Sequence, residues 1–177
     1  MRAAQGLRSG LGPRASGLVI AMLCIAMTLP GCGFKLRGQA DMPFDSIYVE
    51  SDGFSLFAAE LRRSIRTGSG AKVVDVPADA QVHLKVVGER QEKHVLSLSG
   101  AGKVREFELR YRIAYRLTDR RSQDLVPPSE ISLHRDFTYD DTQLLAKESE
   151  EQLLFEDMKS DAVQQMLRRL SVLDLRS

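Results

Sequence analysis

The sequence predicts an α+β fold: a two-layer sandwich with two helices packed on one face of a mixed, mostly antiparallel sheet of about four strands. Three patterns predict it. From Phe107 to Leu117 apolar side chains take every second position, with Glu108, Arg110, Arg112 and Arg116 among the residues between them, which is the period of a half-buried strand. Phe57, Leu61 and Ile65 recur at helical spacing, and a second helical stripe runs through Leu154, Phe155, Met158, Ala162, Met166 and Leu170.

In chain order, Ile47-Tyr48-Val49 is a β-branched and aromatic run ended by the turn residues Ser51-Asp52-Gly53, and makes the first strand. The Phe57 stripe follows, with Glu60, Arg62, Arg63 and Arg66 off it and Gly68-Ser69-Gly70 closing it. Lys72 to Val76 is a short strand stopped by Pro77. Val82, Leu84 and Val86 alternate with His83, Lys85 and Val87 in another. Ser97 to Lys103 (SLSGAGK) is a hairpin tip projecting beyond the core, and the long alternating strand leads away from it.

Pro127-Pro128 is expected to interrupt the chain before a last strand containing Ile131, Leu133, Phe137 and Tyr139. Arg135 falls on that strand's apolar side and needs a sheet edge from which its head can reach water. Asp140-Asp141-Thr142 offers capping oxygens for a helix from Leu144 to Leu170. Its first half (AKESEEQ) is charged nearly all round, so the second half should dock on the sheet.

The amino-terminal region has a different composition. Residues 1–17 are basic and lack acids, Leu18 to Leu29 is almost wholly apolar, and Pro30-Gly31-Cys32 follows, the order of a secretory signal peptide. The apolar run is shorter than the about 20 residues a spanning helix needs. Leu29-Pro30-Gly31-Cys32 resembles a lipobox, with Pro30 departing from the usual residue. The expected organisation is a cleaved signal peptide over 1–31 and a single periplasmic domain over 32–177, lipidated at Cys32. By resemblance to lipoprotein sorting rules, Gly33 lacks the aspartate that retains lipoproteins at the inner membrane, which points to the outer membrane, periplasmic side.

Charge and cysteine content narrow the function further. The full chain carries a formal +1, and losing Arg2, Arg8 and Arg14 with the leader would leave it slightly acidic, no footprint for nucleic acid. Cys24 lies in the leader, so a disulfide with Cys32 is not expected. His83, His94 and His134 lack metal-ligand spacing. Gly100-Ala101-Gly102-Lys103 is followed by Val104, not by the hydroxyl residue of a phosphate loop. No nucleophile elbow occurs, and Asp140-Asp141 suits a helix start better than an acid/base pair. The expectation is a protein with no enzymatic activity, cofactor or metal.

Cys32-Gly33-Phe34-Lys35-Leu36-Arg37-Gly38 resembles the mature amino terminus of the LptE family. Further likeness runs through Leu61-Arg62, Arg105-Glu106-Phe107-Glu108-Leu109, Arg135-Asp136-Phe137 and Leu145-Ala146-Lys147-Glu148. The resemblance implies two helices on a four-stranded sheet, lodged one-to-one in the lumen of the LptD β-barrel, which the protein plugs and helps to assemble. It also implies lipopolysaccharide as ligand, and attachment to the inner leaflet of the outer membrane through the lipid. Lys147 matches the family's basic residue in the final helix and is the first candidate for a lipopolysaccharide contact. The family's arginine near the hairpin tip has no clean counterpart, and Lys103 and Arg105 are the nearest substitutes. The plainer reading of Lys147 is a solvated lysine paired with Glu148 or Glu151. The rival for the whole chain is an auxiliary lipoprotein of a lipid-exporting ABC transport system.

Overall fold

The computed structural model describes residues 41–175. Their elements are β1 (Ser46–Ser51), α1 (Leu56–Gly68), β2 (Lys72–Val74), β3 (Val82–Leu98), β4 (Val104–Asp119), β5 (Asp124–Thr138) and α2 (Leu144–Ser171), with short 3-10 turns at Pro77–Asp79 and Asp141–Gln143. The sheet has five strands in the order β2-β1-β3-β4-β5, one more than the family resemblance implied, because the short β2 is a full member. β1 runs parallel to both β2 and β3, while β3, β4 and β5 pair antiparallel.

Both helices cover one face and share a single core. Phe57, Leu61 and Ile65 of α1 and Met158, Ala162, Met166 and Leu170 of α2 are buried with Ile47, Val49, Leu84, Leu109, Ile113 and Leu117 of the sheet. All of α2's buried residues lie from Met158 onward, as the charge of its first half predicts. Arg112, paired with Glu130, and Arg116, paired with Asp124, stand on the half-wet outer face.

The strand pairings define two ends. Ile47, Val82 and Asp119 lie in one row across the sheet, so the chain enters the fold at the same end as the β4–β5 turn. We term this end proximal. At the distal end, β3 and β4 close the hairpin: Ser99 N donates to Lys103 O at 2.7 Å and Gly102 N to Ser99 O at 2.9 Å. Gly102 takes φ +78° there, which a side chain would resist.

Two irregularities matter. Pro127-Pro128 does not end an element but lies inside β5. This is possible because β5 is an edge strand and the register shifts between Tyr115/Ser129 and Leu117/Val126, so the prolines sit where donors are not needed. The second is a bulge at Val87: the β3/β4 register shifts between Val86 and Gly88. Beyond it Glu89, Gln91 and Lys93 pair with Ile113, Tyr111 and Leu109, and so share the helix-covered face with them.

Candidate functional site

Past the bulge the helix-covered face turns polar, and it meets the charged first half of α2. Lys93 Nζ lies 4.2 Å from the centroid of the Phe107 ring, 5.6 Å from Tyr139 and 5.7 Å from Phe137. It also donates to Glu151 Oε2 of α2 at 2.5 Å. Phe107 packs edge-on to Tyr139 and near Phe137, so three aromatic faces supply negative π-density around one ammonium. Lys147 Nζ approaches Phe137 from the helix side, 5.4 Å from the ring centroid. The result is two lysines and three rings clasped between the distal sheet and the start of α2.

Lys147 is only 18 % exposed and donates to Glu150 at 2.8 Å. Its carboxylate partner is therefore neither Glu148 nor Glu151; the latter is taken by Lys93. Lys103, beside the hairpin tip, donates to Asp141 at 2.7 Å, and that hydrogen bond, with the charge of Asp141, raises its pKa. Asp140 accepts from Thr142 N and Thr142 Oγ1, which hold its carboxyl below the usual range, helped by the charges of Lys147 and Lys103. The Asp140–Asp141 turn thus stands between Lys103 and Lys147. Arg105 is exposed and is the β4 residue that the β3 pairing skips between Ser97/Glu106 and Leu98/Val104. Its carbonyl accepts from Tyr139 N, and its guanidinium has no partner among the described residues. Cys32 lies outside the described residues.

Lys93 was not legible by alternation. Val82, Leu84 and Val86 face the helices, and continuing that period would turn His94 inward in place of Lys93. The extra residue at Val87 reverses this parity. The same reversal brings in Glu89, which accepts from Ser55 Oγ at 2.6 Å, Phe57 N at 3.3 Å and Tyr111 Oη at 2.5 Å. It thereby caps the start of α1 with a negative charge. Burial, followed by the bond to Glu89, pushes the Tyr111 phenol far above its ordinary pKa.

On the edge strand, Arg135 extends to Asp161 of α2 at 2.6 Å, and its side chain stays 43 % exposed. That is the arrangement a cation at an apolar edge requires. None of the helices among the described residues is long and apolar enough to cross a membrane.

Known proteins share both this sequence and this architecture. The family model for lipopolysaccharide-assembly LptE matches residues 44–170. The LPS-assembly lipoprotein LptE of Yersinia enterocolitica is 26 % identical over 164 residues, spanning 88 % of this chain and 75 % of that protein. Lipoprotein B of Nitrosomonas europaea, solved by NMR, superposes with a TM-score of 0.70 at 44 % identity, over 78 % of this chain and 90 % of that one. The crystal structure of rare lipoprotein B from Shewanella oneidensis gives 0.63 at 26 % identity, over 72 % and 94 % respectively. With the family match spanning the sheet and both helices, the chain belongs to the LptE family of lipopolysaccharide-assembly lipoproteins.

Proposed function

We propose that this lipoprotein is cleaved before Cys32, acylated there, and held on the periplasmic side of the outer membrane, where residues 32–177 fill the lumen of an LptD-type barrel. Within that complex it assists barrel assembly and binds lipopolysaccharide without covalent chemistry. The observation that carries the ligand part is the Lys93–Lys147 pair over Phe137, with Lys103 and Arg105 nearby. Lipid A phosphates need converging cations. The four groups line one end of a compact body, and Arg105 has no competing carboxylate among the described residues. A barrel wide enough to pass a glycolipid holds a water-filled channel unless something occupies it. A sheet whose outer face is hydrated and ion-paired suits such a lumen.

The test has two arms. Co-expressed with its barrel, the lipoprotein should co-purify one-to-one in detergent, and the intact mass should include the acyl chains at Cys32; recovery with an inner-membrane ATPase instead would transfer it to the transport-accessory class. Separately, Lys147→Asp combined with Lys103→Asp should weaken lipopolysaccharide binding about tenfold or more, through the loss of charge-assisted contacts, measured at a temperature where circular dichroism shows the variant folded, because Lys147 is packed against Phe137. Unaltered affinity in the double variant would remove both lysines from the site.

A further inference from the structure

At the proximal end, opposite the lysine cluster, a cavity of about 410 Å³ opens between β4, β5 and the end of α2. We propose that it receives one acyl chain of an anionic bilayer phospholipid, whose phosphate is met by Arg169. Its apolar wall includes Leu117, Val126, Met166, Leu170 and Leu173, and its volume falls in the about 300–1,000 Å³ range of small-ligand sites. This apolar wall is the right chemistry for a hydrocarbon tail, and Tyr115, Ser129, Arg169 and Asp174 supply the polar part of the lining.

The headgroup assignment comes from the rim. Arg169 Nη1 donates to Tyr115 Oη at 2.5 Å and reaches Glu130 O at 3.5 Å, and the guanidinium has no carboxylate partner among the described residues. Arg121 and Arg168, at the same end, have no side-chain partner among the described residues, and Arg120 rests on the carbonyl of Ala80. Elsewhere Lys85, Lys93, Lys103, Arg112 and Arg116 are each ion-paired, while Arg105 at the distal end is, like Arg121 and Arg168, without a side-chain partner among the described residues. Asp174 is the acidic residue of the lining. Arg168 and Arg169 also suit the negative end of α2, but that role needs no apolar cavity beside them.

Position selects a bilayer lipid. The chain enters β1 at this end, in the same row of the sheet as Asp119. Cys32 is separated from Asp41 by a segment that spans at most about 30 Å when extended. A lipid at Cys32 therefore holds this end within reach of the leaflet; the inference rests on the anchoring proposed above for that orientation. Exposed Val172, which also lines the cavity, continues the apolar surface outward.

The full lipidated chain, reconstituted in phosphatidylethanolamine vesicles containing phosphatidylglycerol with a diazirine on its acyl chain, tests this. Irradiation should label peptides holding Leu117, Val126 or Met166. Arg169→Glu should reduce that labelling about tenfold, as expected when a charge-assisted hydrogen bond is lost. Leu173→Trp, which fills the cavity, should abolish it, and both variants should keep the parent's circular dichroism. Labelling that is absent from these peptides, that persists in both variants, or that is equal with phosphatidylcholine overturns the proposal. So does a crosslink from position 34 into Leu170–Leu173 that excludes the probe, which would give the cavity to the chain's own amino-terminal segment. An acylated Cys32 and an intact barrel complex alongside any of these results would leave the anchoring reading standing.

Discussion

Glu89 is a carboxylate on the core side of a strand, where an ionised group is costly unless its oxygens are satisfied. Ser55, Phe57 and Tyr111 satisfy them. Glu89→Ala should therefore destabilise the fold by about 2 kcal/mol, since it strands the hydroxyls of Ser55 and Tyr111 and removes the negative charge at the start of α1, where Ser55 Oγ still accepts from Ala58 N. Denaturant melts that coincide with the parent would contradict that role. Tyr111→Phe should cost less, about 1 kcal/mol, because Glu89 keeps two donors. Tyr111 also sets an alkaline limit. Its folded pKa is raised by burial and by Glu89, so its stabilisation is fully present below the ordinary tyrosine pKa of about 10 and is lost as pH rises above it. Above that pH the unfolded chain releases a proton that the folded chain keeps. The phenylalanine variant should show a shallower fall in melting temperature between pH 9 and 11, scales set by about that same pKa.

At the scale of elements, the bulge at Val87 decides what the second half of β3 presents. Deleting Val87 alone removes the extra residue and leaves Glu89 and Lys93 opposite Ile113 and Leu109 on the helix-covered face, whereas deleting Val87 and Gly88 together turns both to the outer face. The single deletion should keep Glu89's contacts at the start of α1 and lipopolysaccharide binding, and the double deletion should lose both. Equal behaviour of the two in a melt and a binding assay would show that parity is not the cause. The elements themselves were readable: the alternation in β4 and the stripes of both helices are recorded directly in residue type, because each faces a single core. Lys93 and Glu89 were not, since one inserted residue inverts facing without altering composition. Pro127-Pro128 misled for a related reason, because what a proline breaks depends on whether its neighbour is another strand or water, and β5 has water on one side. Lys147 was legible as a position on the last helix but not as a partner, since Glu151 is claimed from across the sheet by Lys93.

For the molecule as a whole, one core joins five strands to two helices. Lys159 of α2 adds a contact to Glu60 of α1 at 3.6 Å. Residues 41–175 should consequently unfold in one step, with far-ultraviolet and near-ultraviolet signals superimposing; separated transitions would divide the sheet's distal half from the rest. On the reading proposed above, ligand contact falls at the distal end and attachment at the proximal end of this one core. β4 alone, at 16 residues, spans about 50 Å at the rise of an extended strand, against about 30 Å for the hydrocarbon thickness of a bilayer. A body tethered at one leaflet and standing upright could therefore hold its lysines level with the opposite leaflet without bending, as a measuring rod cut longer than the wall it passes through.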